Sequence, residues 1–150
     1  MNSANIIDML IIEDTSQDLT LALRALGKIE LTSRIQYARD GEEALDFVFC
    51  EGPCTERKMA DGPKVILLDL KLPKIDGLEV LARIKGDIRT RSIPVIVLTS
   101  SAEQKDIMES YALGANSYII KPVNSEQFCQ AVQIVGTYWL SLNQAYNPEV

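Results

Sequence analysis

Short apolar runs recur along this chain, and each is followed by a stretch whose apolar residues return at helical spacing. Residues 6–12 form the first run and lead into Glu13-Asp14. Leu19, Ala22, Leu23 and Leu26 then follow at i, i+3, i+4 and i+7 until Gly27, which predicts a helix. Residues 34–37 alternate more weakly, as an edge strand would, and Asp40-Gly41 turns the chain into a second helix over 42–49. Residues 50–63 dissolve into Gly52-Pro53, charges and Gly62-Pro63 and predict an extended loop. Val65, Ile66, Leu67 and Leu68 are apolar without interruption and stop at Asp69, which predicts a parallel strand covered on both faces. Leu78, Leu81 and Ile84 mark a third helix, and residues 93–98 a buried strand entered through Pro94 and ending in Thr99-Ser100-Ser101. Ile107, Met108, Tyr111, Ala112 and Ala115 mark a fourth helix. Residues 117–120 form a fifth strand running into Lys121-Pro122, and Phe128, Ala131, Val132, Val135 and Trp139 the last helix.

Strand and helix thus alternate five times. That order predicts an α/β domain over residues 1–150: a doubly wound, five-stranded parallel sheet with helices on both faces and right-handed crossovers. Such a sheet commonly has strand order 2-1-3-4-5, whose switch point lies between the first and third strands, at the carboxyl edge where ligands bind. Those two strands end in Glu13-Asp14 and in Asp69. The fourth and fifth deliver Thr99 and Lys121 to the same edge.

Composition narrows the function. With 150 residues the chain has the size of one domain, and no apolar run approaches the roughly 18–20 residues of a membrane span. The start carries no positive charge, so no signal peptide is expected and the chain is placed in the cytosol. A net charge of −6 without clustered Lys or Arg argues against a nucleic-acid face and for protein partners. There is no His at all, which removes Ser-His and Cys-His catalysis and any role as a phosphohistidine donor. It leaves open a role as phosphoryl acceptor. Cys50, Cys54 and Cys129 lack the partners of a zinc site and read as reduced thiols.

Three carboxylates gathered at one edge repel one another by about 4 kcal/mol per pair at 4 Å and an effective dielectric near 20. A hard divalent cation relieves that conflict, and Mg²⁺ suits oxygen ligands with positions left for water and phosphate. Asp14 and Asp69 are the expected direct ligands, the main-chain carbonyl of Lys71 a third, and Glu13 acts through water. A carboxylate held there can attack phosphorus and become an acyl phosphate. Lys121 supplies a second positive charge, Thr99 a hydroxyl for a phosphoryl oxygen, and Tyr118, three residues before Lys121, a gate. Each residue alone has a plain structural role. Their joint placement after four strands does not.

The stretches Ile11-Ile12-Glu13-Asp14, 66–77, 94–101 and 114–122 make the chain resemble the receiver domain of two-component response regulators, over nearly its whole length. The resemblance implies a flavodoxin-like fold in which Asp69 takes phosphate from a sensor histidine kinase. Glu13, Asp14 and the Lys71 carbonyl would hold Mg²⁺, Thr99 and Tyr118 would form the switch pair, and Lys121 would bind the phosphoryl group. Such a protein catalyses only its own phosphorylation and dephosphorylation. No residues remain for an output domain, so the chain resembles stand-alone receivers. The long loop before Asp69, Leu72-Pro73-Lys74, Ser100-Ser101 and Gly136-Thr137-Tyr138-Trp139-Leu140 are similar to regulators paired with bacterial phytochrome kinases. Large apolar groups at Tyr138, Trp139, Leu140 and Leu142 exceed one core stripe and suggest a homodimer formed through the fourth helix, fifth strand and fifth helix. The alternative is a receiver-like module that docks without phosphorylation. A flavin binder fits poorly for want of a Gly-rich phosphate loop, and a phosphatase because Lys71 stands where its acid would be.

Overall fold

The computed structural model describes residues 7–29, 34–52 and 62–145. In chain order come β1 (Met9–Ile12), α1 (Ser16–Gly27), β2 (Ile35–Ala38), α2 (Gly41–Val48), β3 (Val65–Leu68), α3 (Gly77–Gly86), β4 (Val95–Thr99), α4 (Gln104–Ala112), β5 (Ser117–Ile120) and α5 (Ser125–Thr137). A π-helical turn, Tyr138–Leu142, extends α5. The loop expected over 50–63 falls at 53–61, with Cys54, outside the described residues.

The five strands form one parallel sheet in the order β2-β1-β3-β4-β5. Its three central strands are buried on both faces, so their side chains alternate between two cores. Leu10, Ile12, Ile66, Leu68, Val95 and Val97 meet α2 and α3 through Ala44, Val48, Val80, Leu81 and Ile84. Met9, Ile11, Val65, Leu67, Ile96 and Leu98 meet α1 and α5 through Leu19, Ala22, Leu26, Phe128, Val132 and Val135 on the other side. Each such aliphatic side chain contributes about 1.5–3 kcal/mol when fully buried. That explains why runs of only four or five residues suffice as strands.

Three helices begin at side-chain caps: Asp40 accepts from the Glu43 N–H at 2.8 Å, Asp76 from Glu79 at 3.0 Å and Asn124 from Gln127 at 3.0 Å. The apolar stripes of two helices are covered unequally. In α1 it is Ala25 that is buried with Leu19, Ala22 and Leu26, while Leu23 lies at the margin. In α4 only Ser110 is fully buried, and Met108 and Tyr111 are 65% and 50% exposed. Spacing identifies an apolar face but not whether anything covers it. Trp139, expected in the last helix, sits in the π-helical turn and packs at the edge of the α1–α5 core.

Candidate functional site

Each strand hands its site residue to the edge with the backbone still paired to the neighbouring strand. The Glu13 N–H donates to Ala38 O at 3.0 Å, Asp69 N–H to Ile12 O at 3.0 Å, and Lys121 N–H to Thr99 O at 2.7 Å. These residues are therefore fixed by the sheet itself, one step past the strands they follow. The chain beyond Asp69 is packed tightly: a Cβ added at Gly77 would lie 2.4 Å from the Asp69 carbonyl oxygen, and the Gly77 N–H donates to Leu70 O at 2.8 Å. Only glycine lets α3 start so close to the acidic edge.

Glu13, Asp14 and Asp69 bring carboxylate oxygens within 4.8 Å of one another. Glu13 and Asp69 are buried and Asp14 half-buried. The Asp14 side opens onto a cleft of about 460 Å³ that Lys71, Leu72, Pro73 and Asp76 also line. A hard-oxygen donor set of this spread, closed on one side and open on the other, fits a divalent cation that keeps positions for water or a phosphoryl oxygen. Asp69 is further held at both oxygens: Oδ1 accepts from the Lys71 N–H at 3.2 Å and Oδ2 from Lys121 Nζ at 2.9 Å.

Lys121 is the counter-charge of the site. Its ammonium also donates to Glu13 Oε1 at 2.7 Å and to Asp18 Oδ2 at 2.8 Å, so its three N–H groups face three carboxylates. Burial opposes its charge, but the hydrogen bonds to Asp18, Glu13 and Asp69 outweigh it and push the Lys121 pKa up. Burial pushes the Glu13 carboxyl up to about 7, against the hydrogen bond from Lys121 and with the repulsion of Asp69. The other Glu13 oxygen, Oε2, accepts from the Thr15 N–H at 3.2 Å.

Thr99 ends β4 fully buried, and its hydroxyl has no hydrogen-bond partner among the described residues. Tyr118 stands apart from the acidic cluster. Its hydroxyl donates to the Ser101 carbonyl at 2.9 Å, tying β5 to the segment after β4, while its ring packs against the α2–α3 core. The structure thus brings together Glu13, Asp14, Asp69 and Lys121, sets Thr99 one strand over at the end of β4, and leaves Tyr118 within β5, its hydroxyl bonded to the segment after β4. Asp18 was not anticipated. The signal was present: it lies in the first turn of α1, four residues after Asp14, and a helix following β1 starts at the same edge.

Residues 9–133 match the response regulator receiver domain family. The chain belongs to that family. Among its relatives, the receiver RcpA, solved as a phosphorylated cyanobacterial phytochrome response regulator, is 38% identical with a TM-score of 0.87, covering 93% of this chain and 98% of that one. Response regulator Rcp1 of Synechocystis sp. is 37% identical over 132 residues, 88% of each chain. Its Mn²⁺-bound structure superimposes with a TM-score of 0.87 at 34% identity over 93% of this chain and 99% of that one. The bacteriophytochrome response regulator AtBRR is 47% identical, with a TM-score of 0.72 over 93% and 99%. The receiver domain therefore has the doubly wound fold expected from its strand pattern, and its acidic cluster lies at the carboxyl ends of β1 and β3. No helix among the described residues is long and apolar enough to cross a membrane.

Proposed function

We propose that this receiver domain accepts a phosphoryl group on Asp69 from the phosphohistidine of a sensor kinase, in a Mg²⁺-dependent reaction, and thereby changes the surface it offers to partners. The observation that carries this reading is the setting of Asp69: a buried carboxylate beside Glu13 and Asp14 and 2.9 Å from an ammonium, with a hydroxyl at the end of the next strand that is unpartnered among the described residues. Asp14, Asp69 and the Lys71 carbonyl would hold the ion, with Glu13 acting from behind, and the bound ion supplies charge neutralisation on the phosphoryl oxygens.

In the transfer an Asp69 oxygen bonds to phosphorus as the donor's N–P bond breaks. The electron pair of that bond goes to the imidazole nitrogen, which takes up a proton. Lys121 turns one N–H from the Asp69 carboxylate to a phosphoryl oxygen. Thr99 gains in that oxygen the acceptor its hydroxyl lacks, and its movement frees space for Tyr118 to leave the Ser101 carbonyl. The chain's own chemistry consists of this phosphorylation and its reversal by hydrolysis.

The naming of RcpA and AtBRR as phytochrome response regulators supports a bacteriophytochrome-type kinase as donor. Their coverage of 93% of this chain supports reading it as one receiver unit, and the net charge of −6 supports protein rather than nucleic-acid partners in the cytoplasm proposed for it. Met108 and Tyr111 on α4, Ile120 on β5, and Ile134, Tyr138 and Leu142 along α5 and its extension are exposed, which supports a homodimer through that face. Incubated with an autophosphorylated bacterial phytochrome kinase carrying labelled phosphohistidine, the parent takes the label and Asp69→Asn takes none. Label retained on every such kinase contradicts the phytochrome pairing, and label on Asp69→Asn contradicts the acceptor.

A further inference from the structure

Lys121 contacts three carboxylates, and they are not equivalent. Asp69 is the proposed acceptor, and one of its oxygens enters the bond to phosphorus. Glu13 belongs to the acidic cluster and is further engaged by the Thr15 N–H. Asp18 lies outside that cluster, and it is the more exposed arm: its side chain is 29% accessible, against 6% and 7% for Glu13 and Asp69. Its own anchorage is independent of the acidic loops. Asp18 sits in the first turn of α1, where the helix dipole favours a carboxylate, and Leu19, Ala22 and Leu26 of that helix pack against Phe128, Val132 and Val135 of α5.

A lysine ammonium rides on a flexible four-carbon stem, and its direction is set by what its N–H groups bond. When a cation and a phosphoryl group enter, the electrostatic setting of Glu13 and the bonding of Asp69 both change. The Asp18 contact at 2.8 Å is the arm that neither event touches directly. We infer that Asp18 is a positioning residue for phosphoryl transfer, holding the Lys121 ammonium over Asp69 from α1 so that the lysine meets the incoming phosphoryl oxygens in a fixed direction. The inference rests on the reading of Asp69 as acceptor. It assigns Asp18 no contact with the phosphoryl group or the metal. The competing reading is that of an accessible ion pair, which contributes little to stability and nothing to the reaction.

A double-mutant cycle separates the two. Initial rates of phosphorylation by phosphoramidate at saturating Mg²⁺ are followed by intact mass on the parent, Asp18→Ala, Lys121→Met and the double variant, with Mg²⁺ affinity and thermal unfolding measured alongside. Asp18→Ala is expected to slow the parent about tenfold, short of the roughly hundredfold that a 1 Å misplacement can cost because Lys121 keeps its other partners. Its Mg²⁺ affinity stays at the parent's value, its unfolding temperature falls by no more than the few degrees that losing a carboxylate from a helix's first turn brings, and in the Lys121→Met background the same change has no further effect on the rate. An unchanged rate for Asp18→Ala overturns the inference, as does an equal loss in the Lys121→Met background or a loss matched by weaker Mg²⁺ binding. Absence of any adduct on the parent instead strikes the acceptor reading, and this inference with it.

Discussion

Two hydroxyls, Thr99 Oγ1 and Ser110 Oγ, are buried without a hydrogen-bond partner among the described residues, and they invite opposite expectations. An orphaned buried hydroxyl costs about 1–3 kcal/mol relative to a satisfied one. Ser110 lies in α4 away from the acidic edge, so Ser110→Ala is expected to be neutral or to stabilise by up to about 1 kcal/mol, read from the denaturation midpoint, with phosphorylation unaffected. Thr99→Val removes the same kind of orphan and is likewise expected not to destabilise, yet the phosphorylated variant loses the Tyr118 rearrangement, followed by the NMR signal of the tyrosine ring. A full rearrangement in Thr99→Val contradicts the switch role. Glu13, Asp69 and Lys121 were legible in the sequence because each directly follows an apolar run, and Asp14 because it comes next after Glu13, so their position follows from strand order alone. Asp18 was not, because a lone carboxylate in a helix's first turn is ordinary there and only the fold reveals the lysine opposite.

Elements matter here by how closely they approach the acidic edge. The start of α2 is pressed against the loop after Asp69: a Cβ at Gly41 would stand 1.9 Å from the Ile75 carbonyl oxygen, and the Gly41 N–H donates to Pro73 O at 3.4 Å. Lys74, at φ 66°, adds ion pairs to Asp40 at 3.5 Å and Glu42 at 3.8 Å. Gly41→Ala must therefore move backbone rather than a flexible side chain, and a cost of about 1–3 kcal/mol is expected. Because the displaced loop carries Lys71, the variant is also expected to bind the divalent cation more weakly, which titration calorimetry checks. Sequence spacing found all five helices, α4 among them, but did not say which faces are covered. Its apolar positions obey the helical period, and in the structure Met108 and Tyr111 face outward while Ile107 is only partly covered. Period reports which residues share a face, and only the packed neighbours decide whether that face is core or surface.

For the whole molecule the strand order is the functional fact, since β2-β1-β3-β4-β5 sets β1 beside β3 and brings acids from two separated stretches together. This much followed from the alternation of apolar runs, because a five-stranded parallel sheet leaves few topologies. Lys121 relieves part of the acids' mutual repulsion, and a cation bound among them would relieve more, which would couple metal binding to folding. At about 100 times its dissociation constant, a divalent cation is expected to stabilise the native state by about 2.7 kcal/mol and to raise the unfolding temperature by roughly 5–10 °C. Asp14→Asn is expected to lose that shift while keeping a metal-free stability at or above the parent's, since it removes a repelling charge; a full shift in the variant contradicts the assigned ligand. The central claim, a metal-dependent acyl phosphate on Asp69, is tested most directly by intact mass after incubation with acetyl phosphate, with and without Mg²⁺, on the parent and Asp69→Asn. A single phosphoryl adduct that needs both Mg²⁺ and Asp69, and that hydroxylamine removes, is the predicted result. An adduct that persists in Asp69→Asn, forms equally without Mg²⁺ or resists hydroxylamine would contradict it.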